Sequence, residues 1–575
     1  MERGPALARQ RMELDVGRLV LLAPAFLLGA LILLLLFVIL WMSLRTGLPG
    51  DAGPITLQNY EQVFTDPFTL RVLLDTLAFT GVTMVVVVAF AVPMTLLMGR
   101  TDLPFRKVFE VLIGIKILIP SFLVAMGWVL LLSPRNGLIN VWLMGLLGLD
   151  KAPFSIYSVA MMGYVQGLGF TPLAYFMLAA AFRSVDPALE EASRISGGSS
   201  LQTIFRVTLP TTLPAIVATF IYVAMVTFAV FEIPGVIGPP LRIYVFSTAI
   251  FRATNPERGL PEYGLAGAYG SIVLIIGLIL SYFYLRTIGA SHKYAVVTGK
   301  GYRPRLIELG KWKWLALAFM ALYFIPALLF PFLILVWISL IPYLQVPSAA
   351  SLATVSFARY LQVGDIVTLR PLLNSIFLII SAPTLVIALS AIISWLVVRS
   401  QMRGRRVLDT VAFLPHTIPH ILFAVSLAYL ALILREYLPL YGTIVIILIA
   451  QIVAYVSFGT RTMNSALIQL HPELEEAAKM AGASLPNTLW KITIPLVRHA
   501  VANGWVWLAL LSFREVTMAV TLMTSEDNSV LTTQIWRTWS QGRLPEAAAL
   551  GVVIFFVMTV FVAVARGIGR RITDG

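Results

Sequence analysis

Apolar segments of about 20 residues recur along the whole chain, and this repetition limits the fold more than any other feature. Together they make 59% of the 575 residues hydrophobic and leave only 12% charged, about half the charged fraction of a soluble domain. Because a helix of this length spans the hydrocarbon core of a bilayer, each segment predicts a transmembrane helix. We place about twelve spans, near residues 19–43, 72–98, 110–133, 155–182, 211–233, 265–287, 314–341, 372–398, 410–434, 441–463, 497–522 and 545–566.

Positive charge predicts the orientation of these spans. Most of the 42 Lys and Arg residues fall in the N-terminal tail, the even-numbered connections and the C-terminal tail. Because short cytoplasmic loops are enriched in Lys and Arg, we expect both termini in the cytoplasm. The net charge of +14 therefore reflects topology, and without a basic stripe of interleaved aromatics it does not indicate nucleic-acid binding. Since cysteine is absent, disulfides, thiolate nucleophiles and Cys-based metal sites are excluded.

The chain carries an internal repeat. Residues 186–210 and 471–495 lie 285 positions apart and share ten identical residues. Earlier in the sequence, Arg100 and Arg399 correspond at an offset of 299 positions. The difference between the two offsets, 299 minus 285, means that the first copy has 14 extra residues, which we place in the external segment 133–154.

This repeat predicts an all-α, polytopic membrane protein with two homologous six-helix halves. We expect a first half at 1–287, a basic, Gly-containing cytoplasmic linker at 288–312 and a second half at 313–575. Since each half has an even number of spans, the halves should be parallel repeats about an axis along the membrane normal. Duplicated halves of this kind commonly enclose the solute pathway between them.

The repeated segments predict a helix, a glycine turn and a second short helix between the fourth and fifth spans of each half. Their acidic residues lie near a helix start, where the helix dipole favours negative charge. Gly197 and Gly482 should end the first helix in the left-handed conformation. Ser199 and Ser484 can begin the second helix.

The spacing of these segments carries a family resemblance. Glu-Ala is followed by Gly five positions after the Ala and by Pro thirteen positions after the Gly, in both copies. This pattern resembles the signature loop of inner-membrane permeases of binding-protein-dependent ABC importers. Ser193, where the pattern prefers Ala, is a mild departure. The resemblance implies the type I importer permease fold and ATPase coupling through Glu190, Glu191, Ala192, Gly197, Glu475, Glu476, Ala477 and Gly482.

The same resemblance implies partners and a location. Two cytoplasmic ATP-binding cassette subunits and an extracytoplasmic solute-binding protein would assemble with the chain in a bacterial inner membrane. Residues 231–251 and 513–539 resemble the fused permeases of ferric-iron importers, which implies ferric iron as the cargo. Permeases for polyamines, thiamine, phosphonates or sulfate stay open as alternatives.

Motifs for chemistry within the chain are missing. No G-x-x-x-x-G-K-[ST] phosphate loop occurs, so we expect ATP to be used by partner subunits and no cofactor to bind this chain. No H-E-x-x-H or G-x-S-x-G motif occurs either, which argues against an enzyme.

Two other function classes remain in view. A secondary transporter driven by an ion gradient is the first, because residues 99–107 and 398–406 faintly resemble a loop motif of major-facilitator proteins. A membrane scaffold or receptor is the second, although no large soluble domain supports it. The strong repeat falls between the fourth and fifth spans of each half, which favours the importer.

Charged side chains inside spans are costly and are functional candidates by default. Glu232, Arg514 and Glu515 are expected either to face the solute pathway or to hold helix ends and the two halves together. Lys116 is expected to extend toward the cytoplasmic face. His416 and His420 are four positions apart, but Pro419 lies between them, so we expect structural or solvent-facing roles and predict no metal site.

Overall fold

The computed structural model describes residues 4–183, 185, 187–256, 259–291, 306–362, 364 and 368–574. Within these ranges the chain is mostly α-helical, and extended pairing is limited to three isolated bridges. Nine of the described helices are long and apolar enough to cross a bilayer, and three bent helix pairs bring the number of spans to twelve if each pair crosses once. The all-α, polytopic fold is therefore confirmed.

The first half of the sequence forms thirteen α-helices within the described ranges. In chain order they are α1 (Gly4–Ser43), α2 (Gln58–Thr65), α3 (Pro67–Arg100), α4 (Arg106–Leu118), α5 (Ser121–Leu132), α6 (Leu138–Leu147), α7 (Val159–Arg183), α8 (Pro187–Ile195), α9 (Ser200–Thr203), α10 (Leu209–Ala229), α11 (Glu232–Ile237), α12 (Phe246–Thr254) and α13 (Tyr263–Ser291).

The second half repeats this order with small changes. Its described helices are α14 (Lys313–Phe324), α15 (Phe330–Leu340), α16 (Ala349–Leu352), α17 (Ala358–Leu361), α18 (Leu369–Val398), α19 (Arg405–Phe413), α20 (His420–Ile433), α21 (Ile444–Ile468), α22 (Glu473–Met480), α23 (Leu485–Thr488), α24 (Ile494–Leu496), α25 (Arg498–Arg514), α26 (Thr517–Leu522), α27 (Leu531–Ser540) and α28 (Leu544–Asp574).

Two predicted spans are bent within their length, and a third is bent where it begins. The segments predicted at 110–133 and 410–434 break into two helices that meet at 95° and 104°. Both breaks fall at a proline, Pro120 and Pro419, which has no N–H to donate and restricts the residue before it. The third bend, of 74°, separates Leu489–Leu496 from α25. The predicted count of about twelve spans holds when each bent pair crosses the membrane once.

The extra residues of the first half form a short helix of their own. Helix α6 has no counterpart between α20 and α21. Asn140 fixes it, because its buried side-chain amide donates to the carbonyls of Leu132, at 3.1 Å, and Phe154, at 2.9 Å. The insertion predicted at 133–154 thus becomes an anchored helix rather than a loose loop.

Each half packs its first span against the other half. Gly29 of α1 approaches Val411 of α19, and a Cβ at Gly29 would lie 3.8 Å from the Val411 side chain. In the opposite direction, the Tyr323 hydroxyl of α14 donates to the Leu168 carbonyl of α7 at 3.0 Å. The two halves of the sequence are therefore interlocked in space.

Most of the predicted linker, 292–305, lies outside the described residues, and the proposed half boundaries stay predictions. The last residues of the predicted linker, from 306 onward, run beside the end of α3. The Ile307 N–H donates to the Arg100 carbonyl at 2.9 Å, and the Asp102 N–H donates back to the Ile307 carbonyl at 3.2 Å. Leu309 N–H also donates to the Asp102 carboxylate, at 2.8 Å. The entrance to the second half is thus fixed to the first.

Helices α3 and α7 approach closely because α7 carries glycines at their contact. A Cβ at Gly167 would lie 2.5 Å from the side chain of Val86, and one at Gly163 would lie 2.7 Å from Val82. Small residues four apart are a common means of close helix packing in membranes.

Replacing Gly167→Val should therefore overpack this interface and lower the stability of the purified protein by about 1–3 kcal/mol. The thermal unfolding midpoint in detergent measures the effect. Gly81→Val in α3 is the matched control, because nothing lies within 4 Å of its Cβ position. Equal shifts for the two variants would contradict the packing assignment.

Candidate functional site

The two repeated segments adopt the same local structure. We call residues 187–210 the first loop and residues 472–495 the second loop. Each loop contains a helix, a turn and a short second helix, namely α8 and α9 or α22 and α23. A five-residue π-helical turn follows in each, Ile204–Thr208 and Leu489–Thr493. Such π-helical turns are rare in proteins as a whole, and those that occur are often found at functional sites.

Glycine makes the turn in both loops. Gly197 and Gly482 have φ values of +83° and +80°, a left-handed conformation that glycine adopts without steric cost. The next N–H in each loop closes the helix end: Gly198 donates to Ser193 at 2.9 Å, and Ala483 donates to Ala478 at 3.0 Å. The predicted helix, glycine turn and second helix are present in both copies.

A buried ion pair fastens the first loop to the membrane helices. Glu190 lies 3.2 Å from Arg100, the last residue of α3, and both side chains are buried. Thr208 donates its hydroxyl proton to the same Glu190 oxygen at 2.9 Å. Arg100 also donates to the Phe182 carbonyl at 2.8 Å. The loop is thereby held to the ends of α3 and α7.

The second loop repeats this arrangement with equivalent residues. Glu475 lies 3.5 Å from Arg399; the Glu475 side chain is buried and that of Arg399 is largely buried. Thr493 donates to Glu475 at 3.2 Å, and Arg399 donates to the Leu467 carbonyl at 2.8 Å. We call each set of Arg, Glu and Thr side chains the clamp. The clamp is therefore a feature that both halves share at equivalent positions.

The second clamp has additional bonds. Trp395 donates its indole N–H to Glu475 at 3.2 Å, and Arg399 donates to a further carbonyl, that of Leu470, at 2.7 Å. The residue 299 positions before Trp395 is Leu96, which has no polar side-chain atom. The indole bond therefore belongs to the second half alone.

The structure divides the eight predicted coupling residues into two groups. Glu190 and Glu475 are buried in the clamps and do not offer a surface for direct contact with another subunit. Adjacent residues on a helix point about 100° apart. The two neighbouring glutamates of each loop therefore face different directions, although they look equivalent in the sequence. The other six are exposed on the loops: Glu191, Ala192, Gly197, Glu476, Ala477 and Gly482.

Ser193, the departure from the family pattern, has a local role. Its hydroxyl lies 2.9 Å from the Thr203 hydroxyl of α9, and so it joins the two helices of the first loop. Ala478 occupies the equivalent place in the second loop and is buried. The substitution exchanges an apolar contact for a hydrogen bond without changing the fold of the loop.

A second polar group lies where the bent helices begin. The buried Glu515 carboxylate accepts hydrogen bonds from the Tyr455 hydroxyl at 2.7 Å and from the Met518 N–H at 2.9 Å, and it lies 3.2 Å from His420 Nδ1. Sequence reasoning gave His420 no acidic neighbour, because Glu515 is 95 positions away. Its position at the start of α20, directly after Pro419, was the available signal.

The remaining charged candidates lie close to this group. Arg514 donates to the Ile117 carbonyl near the end of α4 at 2.7 Å, a bond that joins the second half to a helix end of the first. Glu232 lies beside Ser121 and within electrostatic range of Arg514. Ser121 corresponds to His420 at the 299-residue offset, so each half places a glutamate at the start of its broken helix.

Lys116 does not extend out of the protein. Its side chain is buried, with 4% of the residue exposed, and it lies within electrostatic range of Arg514. The expected extension toward the cytoplasmic face was therefore wrong. Among the described residues, no three His, Asp or Glu side chains converge in a geometry that could hold a metal ion. We call Glu232, Arg514, Glu515, His420, Tyr455 and Lys116 the central polar group.

Duplicated, interlocked sets of apolar helices that each carry one clamped signature loop define a fused, two-half ABC importer permease. The chain belongs to the family of binding-protein-dependent transport system inner membrane components, whose profile matches residues 91–288 and again residues 387–574. The predicted internal duplication and the inner-membrane transport class are thereby confirmed.

Individual relatives are similar to the chain over different lengths. The ferric transport system permease protein FbpB of Actinobacillus pleuropneumoniae is 25% identical over 554 residues, which cover 93% of this chain and 77% of that protein. The spermidine/putrescine transport system permease protein PotB of Haemophilus influenzae is 26% identical over 241 residues, 42% of this chain and 82% of that protein.

Among solved structures, the chain is similar to a bacterial ABC transporter involved in the import of the acidic polysaccharide alginate. The sequence identity is 21% and the TM-score is 0.39. The match covers 46% of this chain and 97% of that chain.

Breaking either clamp should loosen its own loop. Arg100→Gln would leave Glu190 as a buried carboxylate without its charged partner, and Arg399→Gln would do the same to Glu475. Loss of one partner of a buried pair costs about 3–5 kcal/mol. We expect faster amide hydrogen exchange in α8 or in α22, respectively, measured by mass spectrometry on the purified protein.

Arg106→Gln is the control for this prediction. Arg106 forms an exposed pair with Glu110 one helical turn away, and pairs of this kind contribute about 0.3–0.5 kcal/mol. Exchange in both loops should stay as in the unaltered protein. If the clamp variants exchange no faster than this control, the clamps do not hold the loops.

Proposed function

We propose that this chain forms the solute pathway of an ATP-driven importer and that its two loops receive movement from separate cytoplasmic ATPase subunits. One observation carries the proposal. In each loop a single short helix has an exposed Glu-Ala face and a buried glutamate clamped to an arginine of a membrane helix. A helix built in this way can bind a partner on one side and move the membrane helices on the other.

The exposed face supplies the docking surface. Glu191 and Ala192 in the first loop, and Glu476 and Ala477 in the second, are exposed near the starts of α8 and α22. Alanine beside the carboxylate leaves room for a close approach by another protein. We assign these positions, with Gly197 and Gly482 at the following turns, to direct contact with two ATP-binding cassette subunits.

The clamp supplies the transmission. A buried ion pair with a hydroxyl donor resists separation because each charge has lost its water. Movement of α8 should therefore displace the end of α3 through Arg100, and movement of α22 should displace the end of α18 through Arg399. Glu190 and Glu475 thus act as positioning residues for coupling rather than as contact residues.

A helical route leads from each loop to the central polar group. The first loop continues through its π-turn into α10, and Glu232 follows three residues after Ala229 ends that helix. The second continues through α24 and the 74° bend into α25, which ends at Arg514. We propose that Glu232, Arg514 and Glu515 form a polar constriction of the solute pathway and open when the loops move.

Charge placement and family together suggest the orientation. With the termini in the cytoplasm of a bacterial inner membrane, both loops face the ATPase side. An extracytoplasmic solute-binding protein would then deliver cargo to the opposite mouth of the pathway. The binding protein is proposed because transport by this family is described as binding-protein-dependent.

Ferric iron is the proposed cargo. The ferric permease relative matches 93% of this chain as one fused protein, whereas the spermidine/putrescine permease relative matches 42%. The difference in extent favours iron over polyamines, with thiamine, phosphonates and sulfate as further alternatives.

Reversing the exposed charges should uncouple the transporter. In the variant Glu191→Lys plus Glu476→Lys, we expect solute-stimulated uptake in proteoliposomes to fall about tenfold or more, equivalent to at least about 1.4 kcal/mol of lost coupling. Copurification of the ATPase subunits should weaken in parallel. Membrane insertion should be unaffected, because both side chains are exposed.

Glu110→Lys is the matched charge reversal, since Glu110 is exposed on α4 outside the loops. It should leave both uptake and copurification unchanged. Normal uptake by the double loop variant would refute the contact assignment. Uptake by the purified chain alone, driven by an ion gradient without ATP, would instead establish the secondary-transporter class.

The cargo proposal has a separate test. In vesicles holding the complete transporter, ferric ion presented by the cognate solute-binding protein should stimulate ATP hydrolysis and radioactive iron uptake. Spermidine in the same assay should do neither, because a solute recognised by the binding protein is needed to trigger the cycle. Stimulation by spermidine alone would reassign the cargo while leaving the importer class intact.

A further inference from the structure

A large apolar cavity lies in the second half, outside the two loops. Its volume is about 420 Å³, within the range of small-molecule sites in proteins. Helices α18, α25, α27 and α28 enclose it. The residues that shape its walls include Leu372, Ile376, Leu531, Leu550, Val553 and Ile554.

The cavity wall offers almost nothing to a polar ligand. Ser375 is its one polar side chain among the described residues. The Ser375 hydroxyl already accepts a hydrogen bond from the Leu531 N–H at 2.9 Å. A ligand that fits this wall is therefore a hydrocarbon chain, because a polar group placed there would lose its water without gaining partners.

The equivalent positions in the first half carry buried aromatic rings. The Phe246 N–H donates to Thr76 at 3.1 Å, which repeats the bond between Leu531 and Ser375. The rings of Phe246 and Tyr269 then pack edge-on, with centroids 6.2 Å apart. Both side chains are fully buried. Aromatic rings thus occupy the first half at a place where the second half has an opening.

Smaller residues account for the opening. Leu531 stands at the position of Phe246, 285 residues later. The sequence Leu-Pro-Glu occurs in both halves, beginning at Leu260 and at Leu544. When these two segments are aligned, Val553 corresponds to Tyr269. Two aromatic side chains are therefore replaced by two aliphatic ones.

The rim of the cavity faces the bilayer. Ile376 and Val557 line it and are 45% and 50% exposed. They belong to the membrane-spanning helices Leu369–Val398 and Leu544–Phe561. What surrounds exposed apolar side chains on such helices is lipid hydrocarbon, and an acyl chain can enter from the side.

We propose that an acyl chain of a membrane phospholipid occupies this cavity as a built-in site of the second half. Protein interiors rarely keep voids of this size, and an apolar cavity takes up apolar ligands rather than water. The adjoining bilayer supplies such a ligand at high local concentration. Phe513, which lines the cavity, directly precedes Arg514 of the central polar group, so the bound chain supports the helix that links the second loop to that group.

Photo-crosslinking tests the site in the complete transporter. The probe is phosphatidylglycerol with a diazirine in the middle of one acyl chain, mixed into phosphatidylethanolamine vesicles that contain the full-length protein with its partner subunits. Mapping by mass spectrometry should find adducts concentrated on the wall residues Leu550, Val553 and Ile554. Adducts on Phe246 and Tyr269 should stay at background.

A filling variant provides the second measurement. Leu531→Phe with Val553→Tyr copies the first half and should reduce the wall adducts to background. Leu373→Phe adds similar bulk at an exposed residue of α18 that does not line the cavity, and it should leave them unchanged. Wall adducts no more frequent than those on Leu373 in the unaltered protein would overturn the proposal. So would wall adducts that persist in a folded filling variant.

Discussion

The buried arginine–glutamate pair at the base of each loop is the interaction on which the rest of the arrangement depends. Two charges without water are stable only while they face each other and their remaining hydrogen-bonding atoms are occupied. An arginine and a threonine hold each of Glu190 and Glu475, while the Nε atoms of Arg100 and Arg399 are buried without a hydrogen-bond partner. The pair therefore fixes which side of the short helix is buried. By doing so it also decides that the neighbouring glutamate faces outward, where another protein can reach it.

The duplicated design has diverged in ways that make the halves unequal. The second clamp has an indole donor, Trp395. The chain that follows the second loop bends by 74° before α25. Leu531 stands where the first half has the ring of Phe246. In the first half, by contrast, a hydrogen bond between Ser193 and Thr203 joins α8 to α9, and the helix α6 is added. These differences lie around a common framework of clamps and broken helices. Equal inputs to the two loops should therefore produce unequal movements in the membrane.

Much of this architecture could be predicted from the sequence, because apolar length, glycine turns and internal repetition are local or self-comparing signals. The repeat even identified Arg100 and Arg399 as equivalent. Their pairing with glutamates could not be predicted, because Arg100 and Glu190 are 90 positions apart. A single sequence does not show which distant residues are in contact. The proline breaks were visible, but their angles depend on packing. The His420–Glu515 contact and the burial of Lys116 likewise follow from tertiary structure.

The exchange of first spans between the halves has a consequence for biogenesis. Gly29 leaves the ribosome long before Val411, yet in the folded protein it lies beside the Val411 side chain. Folding during synthesis generally proceeds from the N-terminus, domain by domain. Here the first half inserts with one flank of α1 uncovered and waits for α19. A quality-control system could recognise that uncovered flank as the mark of an unfinished chain.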